Sequence, residues 1–194
     1  MSKSTETRNY IMQKSFDLIY QKGYQATSID DIIATTNMTK GAFFYHFKNK
    51  EQMGLELISE LLYPSMYEIM VKPLIESKDP LTAIYEMMER LLNDEDFFNA
   101  DYGCPAINLM EEMSPINNTF KKALSKLVLS WKDSIVSAIQ SAQPLGLVKP
   151  HVSPEEVAVM VISGYGGVRG LGKVIGRKAY TTYLAGLKSY LNQL

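Results

Sequence analysis

Apolar residues recur every three or four positions along most of the chain, a spacing that predicts amphipathic helices. The first such stripe includes Ile11, Phe16 and Ile19 and stops at Gly23, a residue that suits a helix C-terminus. Residues 1–7 are polar and are expected to be frayed. No segment has the alternating pattern and hairpin turns of strands, so we predict an all-α fold with about nine helices.

The segment Thr27–Phe47 predicts two short helices joined by a tight turn. Thr27 or Ser28 begins the first helix, because each stands three residues before an Asp that can complete a capping box. Thr39 caps the second helix, which is expected to span residues 40–46. So short a break between two helices is the format of a helix-turn-helix, whose second helix enters the major groove of DNA.

Residues at the start of this second helix, Thr39, Lys40 and Gly41, are expected to face the DNA bases. A glycine inside a helix costs about 1 kcal/mol relative to alanine, which indicates that another molecule approaches the backbone at Gly41. Phe43 and Phe47 are four residues apart on one helix face and are interpreted as core. Contacts mainly to phosphates are predicted for Thr27, Ser28, Tyr45, His46 and Lys50.

The helix after the helix-turn-helix is predicted to be long. Its apolar stripe starts after Lys50 and continues to about Val71, with Pro64 expected to kink the helix and Pro73 to end it. Further helices are predicted near residues 81–92, 105–113, 118–142, 154–174 and 178–191.

Charge is unevenly distributed along the chain. Residues 1–50 hold seven Lys/Arg against four Asp/Glu, a balance of +3, whereas residues 51–194 hold thirteen against seventeen, a balance of −4. We therefore predict a DNA-binding domain at residues 1–50 and a second helical domain at residues 51–194. No apolar run reaches the ~18 residues of a membrane span and no signal peptide is recognisable, so a cytoplasmic protein is expected.

The sequence offers little material for catalysis or metal binding. His46, His151 and Cys104 are its only histidines and cysteine, and neither an HExxH nor a GxSxG motif occurs. We therefore expect no enzyme, no metal and no cofactor. A helical ligand-binding module that does not read DNA is an alternative, which the basic helix-turn-helix disfavours.

The stretch from Arg8 to Met53 resembles the N-terminal DNA-binding domain of the TetR/AcrR family of bacterial transcriptional regulators. It carries the family's KGY linker, the TKG that opens the recognition helix, the HF that closes it and the NKEQ that follows. The resemblance implies a dimeric repressor that binds a palindromic operator and is released by a small-molecule effector. Many members carry Tyr where this chain has Phe44, so Phe44 offers no hydroxyl to a phosphate, and Tyr45 is the candidate to replace it.

In such a regulator the effector pocket lies between the helices of the second domain, where this chain is rich in Met and aromatic residues. These side chains suit an adaptable, largely apolar ligand site, although most are equally interpretable as core. The effector-binding candidates are Met66, Met70, Tyr85, Met88, Phe97, Phe98, Tyr102, Cys104, Met110 and Trp131. The nearby carboxylates are interpreted as solvated helix faces rather than as a site for a cationic effector: Glu86, Glu89, Glu111 and Glu112.

Two features of the second domain leave alternatives open. Glycines at every third position permit a close helix approach, and the resemblance implies a dimer through the last two helices, with intrachain packing as the alternative. The interface candidates are Gly164, Gly167, Gly170, Tyr183 and Leu187. Cys104 is either a small buried hydrophobe or a thiol activated at a helix N-terminus, which would make the protein an electrophile- or redox-sensing repressor.

Overall fold

The structure is a computed structural model that describes residues 2–94 and 98–194. Phe97, one of the effector candidates, lies outside the described residues. The described part of the chain contains helices and connecting turns and no strand, which confirms the all-α prediction. With the helical run from Lys50 to Glu76 counted once, these residues form nine helices, as predicted.

The first six α-helices along the chain are α1 (Lys3–Lys22), α2 (Ile29–Ala34), α3 (Lys40–His46), α4 (Lys50–Leu57), α5 (Tyr63–Met66) and α6 (Lys72–Glu76). Two π-helical segments, π1 (Ile58–Leu62) and π2 (Tyr67–Val71), separate α4, α5 and α6. The later helices are α7 (Pro80–Asn93), α8 (Pro105–Met113), α9 (Asn118–Ala142), α10 (Pro154–Ile175) and α11 (Lys178–Leu191).

The N-terminal helix starts earlier than the sequence pattern predicted. Ser2 caps α1 by accepting a hydrogen bond from the N–H of Thr5 at 3.2 Å, and the helix runs from Lys3 rather than from Arg8. The expectation that residues 2–7 are frayed is therefore wrong. A polar segment without an apolar stripe can be helical when a cap satisfies its first free N–H groups.

Each π-helical segment is followed, after one residue, by a proline. The N–H of Tyr63 bonds to the carbonyl of Ile58, and the N–H of Lys72 bonds to the carbonyl of Tyr67. A proline donates no hydrogen bond and its ring crowds the carbonyl four residues earlier, so a widened turn lets the helix continue. The prediction that Pro73 ends the helix is wrong, because the helical run continues to Glu76.

The chain forms two compact units. The first unit comprises Met1–Tyr63 and Pro105–Leu124, and the second unit comprises Pro64–Cys104 and Ser125–Leu194. The predicted boundary at residue 50 therefore differs from the structural division in two ways. The first unit extends into the helical run after Lys50, and it recruits α8 and the start of α9 from later in the chain.

The first unit has a continuous apolar core. Phe43 and Phe47 are each 1% exposed, which confirms that they are core residues. Phe120 of α9 is fully buried in the same core and its ring lies 4.8 Å from that of Tyr24. An added Cβ at Gly54 would lie 2.8 Å from the Phe120 ring, so only glycine permits this packing.

The second unit is held together by its own buried side chains. Helices α7 and α10 both pack against α11. Trp131 of α9 is 4% exposed, donates its Nε1–H to the Sδ of Met87 at 3.3 Å and meets the ring of Tyr165 edge-on at 5.5 Å. No helix among residues 2–94 and 98–194 is long and apolar enough to span a membrane.

Candidate nucleic-acid interface and regulatory site

Helix α3 presents an exposed surface with aromatic and basic character. Its bounds, Lys40–His46, are those the sequence predicted, and Thr39 caps it by accepting from the N–H of Ala42 at 3.3 Å. Phe44 is 47% exposed and Tyr45 is 78% exposed. Adjacent exposed aromatic side chains beside basic residues make this surface a candidate for contact with another molecule.

Gly41 is exposed near the start of α3. A Cβ added there would meet only the Thr39 hydroxyl, at 3.7 Å, so packing within the described chain does not require glycine at this position. Its helix-propensity cost of about 1 kcal/mol therefore has no intramolecular explanation among these neighbours. An external molecule that approaches the α3 backbone would explain it.

Lys40 and Ser28 are exposed residues of the helix-turn-helix, and each pairs with a carboxylate. The Lys40 ammonium pairs with the Asp30 carboxylate at 2.7 Å, and both side chains are more than half exposed. Such surface pairs contribute little to stability, so Lys40 can exchange Asp30 for a phosphate or a base.

Ser28 caps α2 in the predicted capping box with Asp31. The hydrogen bonds from the serine lower the pKa of the Asp31 carboxyl.

The structure corrects the role of Thr27. Its side chain is fully buried, and its hydroxyl donates to the carbonyl of Gly23 at 2.7 Å. A buried hydroxyl in this position holds the α1–α2 turn and cannot reach a phosphate.

The structure also gives Lys50 a role in the same turn. Its ammonium donates to the carbonyl oxygens of Tyr24 and Thr27, each at 2.9 Å, and lies 4.4 Å from the centre of the Tyr24 ring. Burial lowers the pKa of Lys50. Two of the three N–H donors of the amine predicted to contact phosphate therefore bind backbone carbonyls.

Glu112 of α8 holds the other side of this turn. One carboxylate oxygen accepts from the N–H of Tyr24 at 2.8 Å, and the other accepts from the N–H of Gln25 at 2.6 Å. Gly23 makes this possible, because its φ of +91° suits glycine and a Cβ there would lie 3.3 Å from both oxygens. Glu112 was interpreted from sequence as part of a solvated face, which is wrong.

The structure separates the effector candidates. Six of them are buried in the second unit: Met66, Met70, Met88, Phe98, Cys104 and Trp131. Tyr85 and Tyr102 are half-buried there. Met110 belongs instead to the first unit, where it packs against the apolar core, so it is not part of a site built in the second unit.

A charged side chain that sequence analysis missed lies among the buried candidates. Arg169 of α10 is 1% exposed, and its guanidinium carbon lies 4.6 Å from the centre of the Phe98 ring. The sequence signal for it is a single arginine four residues after Tyr165, within the glycine-rich segment 164–172. Among residues 2–94 and 98–194, no group of three His, Cys, Asp or Glu side chains is placed to hold a metal.

The interface candidates divide into two groups. A Cβ on Gly164 would lie 2.5 Å from the hydroxyl oxygen of Tyr183, so intrachain packing explains this glycine, and Leu187 is 6% exposed within its own chain. Gly167 and Gly170 have no atom within 4 Å of an added Cβ. An open, largely apolar groove between α10 and α11 is lined by Gly164, Gly167, Val168, Leu171, Ile175, Lys178, Ala179, Thr182 and Tyr183.

Two family models match this arrangement. The model described as "Bacterial regulatory proteins, tetR family" matches residues 11–57, and "Tetracyclin repressor-like, C-terminal domain" matches residues 78–185, more than half of the chain. The chain belongs to the TetR family of transcriptional regulators. As a TetR-family member it is a DNA-binding regulator, and the family is made up of regulators rather than enzymes.

Individual relatives agree with this assignment. An uncharacterized HTH-type transcriptional regulator of Lactococcus lactis subsp. lactis is 30% identical over 81% of this chain and 80% of that protein. The HTH-type transcriptional repressor DhaR of Mycobacterium sp. strain GP1 is 22% identical over 84% of this chain and 80% of its own.

Solved structures share the fold. A TetR regulator of Chloroflexus aurantiacus J-10-FL has a TM-score of 0.90 at 23% identity, with 100% of this chain and 98% of that chain covered. The reduced form of NemR of Escherichia coli has a TM-score of 0.81 at 18% identity, with 95% of this chain and 96% of that chain covered. These comparisons do not favour the alternative in which Cys104 is a sensor thiol, and this side chain is 1% exposed.

Proposed function

We propose that this TetR-family regulator is a dimeric repressor that binds a palindromic operator and releases it when a small molecule binds in the second unit. The observation that carries the proposal is the surface of α3, where an exposed glycine stands beside exposed basic and aromatic side chains. The relatives DhaR and NemR are both named transcriptional repressors, which supports the same direction of control.

The proposed base contacts come from Thr39, Lys40 and Gly41 at the N-terminal end of α3, the end that reads bases in helix-turn-helix proteins. Phe44 is exposed on the same helix and suits an apolar contact such as a thymine methyl group. The proposed phosphate contacts come from Ser28, Tyr45 and His46.

The proposed dimer contact is the groove between α10 and α11, with a second copy of this chain as its occupant. Leu171, Val174 and Ile175 on α10 are each more than half exposed, which is costly for a surface that stays in water. The Tyr183 hydroxyl is buried without a hydrogen-bond partner in the described chain, and burial raises the pKa of Tyr183 to about 12. A partner's polar group would satisfy this hydroxyl.

The proposed link between effector and DNA is α8. This helix starts directly after Cys104, which belongs to the second unit, and it carries Glu112, which holds the α1–α2 turn of the first unit. An effector releases DNA only if it binds better to a conformation in which the two α3 helices no longer match successive major grooves, about 34 Å apart. A coupling of ~1–3 kcal/mol would change operator affinity roughly 5–150-fold.

Selection of binding sites from random duplex DNA tests the proposal. We expect enriched sequences with two-fold symmetry and half-sites about one helical turn apart. Lys40→Ala should change which sequences are enriched, whereas Ala at the exposed Lys121 of α9, outside the helix-turn-helix, should not. Failure of the wild-type protein to enrich any sequence at low salt would exclude the repressor.

A further inference from the structure

Arg169 is among the largest fully buried side chains of the described residues and is 1% exposed. Its Nε donates to the Tyr165 hydroxyl at 3.3 Å and its Nη1 donates to the Tyr180 hydroxyl at 3.3 Å. Its Nη2 donates to the carbonyl of Leu91 in the last turns of α7. These three acceptors are all uncharged.

The positive charge of Arg169 is not neutralised by a carboxylate within residues 2–94 and 98–194. None of the ion pairs found there includes Arg169, and the groups that act on it electrostatically are Tyr165, Tyr180 and the Cys104 thiol. Burial raises the pKa of Tyr165 well above its usual range, so this phenol stays neutral. A buried charge without a counter-charge is costly, and buried charges in proteins are normally paired.

The guanidinium retains N–H donors that no acceptor in the described chain uses. Arginine has five N–H donors, and the described chain accepts one from each of its three nitrogens. One N–H therefore remains on each terminal nitrogen. Two terminal N–H groups match the two oxygens of a carboxylate, which makes arginine the preferred residue for binding that group.

Aromatic rings surround the same guanidinium. Its carbon lies 4.6 Å from the centre of the Phe98 ring, 5.4 Å from that of Tyr165 and 5.3 Å from that of Tyr180. Aromatic rings within about 6 Å attract a guanidinium, so these three rings help to hold it in place. Phe98 and Cys104 are effector candidates that were chosen from sequence for other reasons, and both are buried in this cluster.

We propose that Arg169 binds the anionic group of the effector and that the effector is a small organic carboxylate. The inference rests on the proposed ligand-responsive function and names the ligand class for it. The alternative is that Arg169 has only a structural role, in which its charge binds the Leu91 carbonyl near the C-terminus of α7.

The chain provides its own optical reporter for the test. Trp131 is the only tryptophan in the sequence and its ring meets Tyr165, which accepts from Arg169. Wild-type protein is titrated with acetate, propionate and benzoate, and in parallel with the neutral amides of the same size, at constant ionic strength. Tryptophan fluorescence and thermal unfolding are recorded. Sodium chloride serves as the inorganic anion control.

We expect at least one carboxylate to change the fluorescence saturably and to raise the unfolding temperature, with Kd of about 1 mM or below. Its amide and chloride should do neither. Arg169→Lys keeps the charge but loses the paired donors, so it should weaken the carboxylate about 10- to 100-fold. Lys173→Arg on the same helix, where Lys173 is exposed, is the control and should bind like the wild type.

The inference would be overturned if no carboxylate gave a response at about 10 mM, ten times the expected Kd of about 1 mM. It would also be overturned if a carboxylate and its amide gave equal responses, or if Arg169→Lys bound the carboxylate as tightly as the wild type. The wild-type titration needs no variant, so a variant that fails to fold leaves the test intact. Operator binding without probe is measured on the same preparation. A protein that binds operator but no carboxylate refutes this site alone, whereas loss of operator binding concerns the repressor proposal.

Discussion

The carboxylate of Glu112 accepts a hydrogen bond from the backbone N–H of Tyr24 at 2.8 Å, although 88 residues separate the two along the chain. The second oxygen binds the next N–H, that of Gln25. The turn so held leads directly into α2 and the helix-turn-helix. A helix from the middle of the chain therefore helps to hold the turn that precedes the helix-turn-helix.

We predict that Glu112→Gln destabilises the first unit by about 1–3 kcal/mol. The amide keeps one acceptor but places an NH₂ group opposite a backbone N–H, which loses a charge-assisted bond. Operator affinity should fall with it. Urea unfolding and operator titration measure the two effects.

Glu111→Gln is the matched control, because Glu111 is the exposed neighbour on the same helix and the charge change is the same. It should alter stability by no more than about 0.5 kcal/mol. If both variants behaved alike, net charge rather than the carboxylate at the turn would be responsible.

Sequence reasoning succeeded where a structure depends on neighbouring residues. The capping box of Ser28 and Asp31 and the cap at Thr39 fixed α2 and α3 from residues within one helical turn. Glu112 and Arg169 were missed for the opposite reason. The N–H groups that Glu112 binds are 87 and 88 residues away, and the Leu91 carbonyl that Arg169 binds is 78 residues away, so one sequence carries no signal for these pairs.

The helical run through Pro64 and Pro73 shows a different limit. Proline disfavours a helix interior, but here π-helical turns accommodate the missing hydrogen bond and the helix continues.

Thr27 shows a third limit, since the sequence indicates that a hydroxyl is present but not whether it faces solvent or the Gly23 carbonyl. Burial is decided by tertiary packing, which periodicity does not resolve over so short a helix.

We predict that Lys50→Met lowers operator affinity without changing its salt dependence. Lys50 serves the turn through the carbonyls of Tyr24 and Thr27, so its loss should distort α2 rather than remove a phosphate contact. Loss of a phosphate contact would reduce the slope of log affinity against log salt by about 1. Operator titrations at several salt concentrations measure this slope.

Lys48→Met provides the comparison, because Lys48 is exposed two residues earlier and carries the same charge. A slope reduced by about 1 in Lys50→Met would restore the sequence-based expectation that Lys50 touches phosphate. Urea unfolding of both variants tests the same distinction independently, since only Lys50→Met should lose stability.

We predict a pH-dependent contribution from Arg8. Its Nη1 and Nη2 bind both oxygens of Glu60, at 2.8 and 2.7 Å, and Nη2 also binds Glu56 at 2.6 Å. The hydrogen bonds from Arg8 lower the pKa of Glu60 below its ordinary 4.5. A folded-state pKa below the unfolded value gives stability that is present above pH 4.5 and is lost as the pH falls through the folded-state pKa.

Glu60→Gln should therefore cost about 0.5–1 kcal/mol at pH 7, a value reduced for the partial exposure of Glu60. The difference from the wild type should shrink as the pH falls below 4.5, where the wild-type carboxyl also loses its charge. Urea unfolding from pH 7 to pH 3 measures both, with Glu111→Gln as the exposed control. A difference that stays constant across this range would show that the pair with Arg8 is not the cause.

The glycines of α10 give a prediction that separates folding from assembly. A Cβ at Gly164 would lie 2.5 Å from the Tyr183 hydroxyl oxygen and 2.8 Å from its ring, so Gly164→Ala should destabilise the monomer. Overpacking lowers the free energy of unfolding by about 1–3 kcal/mol, and the better helix propensity of alanine offsets about 1 kcal/mol of that loss. Gly167→Leu has open space around its Cβ and should leave monomer stability unchanged or slightly higher.

Gly167→Leu should nevertheless weaken dimerisation, because the new side chain projects into the groove proposed to receive a second copy. Operator affinity should fall with dimerisation, since a symmetric site needs both subunits. Gly170→Leu is the matched control: Gly170 is equally open and lies on the same helix, but it does not line the groove. Sedimentation at several protein concentrations measures the dimer. Equal losses in the two leucine variants would place the contact elsewhere on α10, and a wild-type protein that is monomeric at micromolar concentration would refute the dimer.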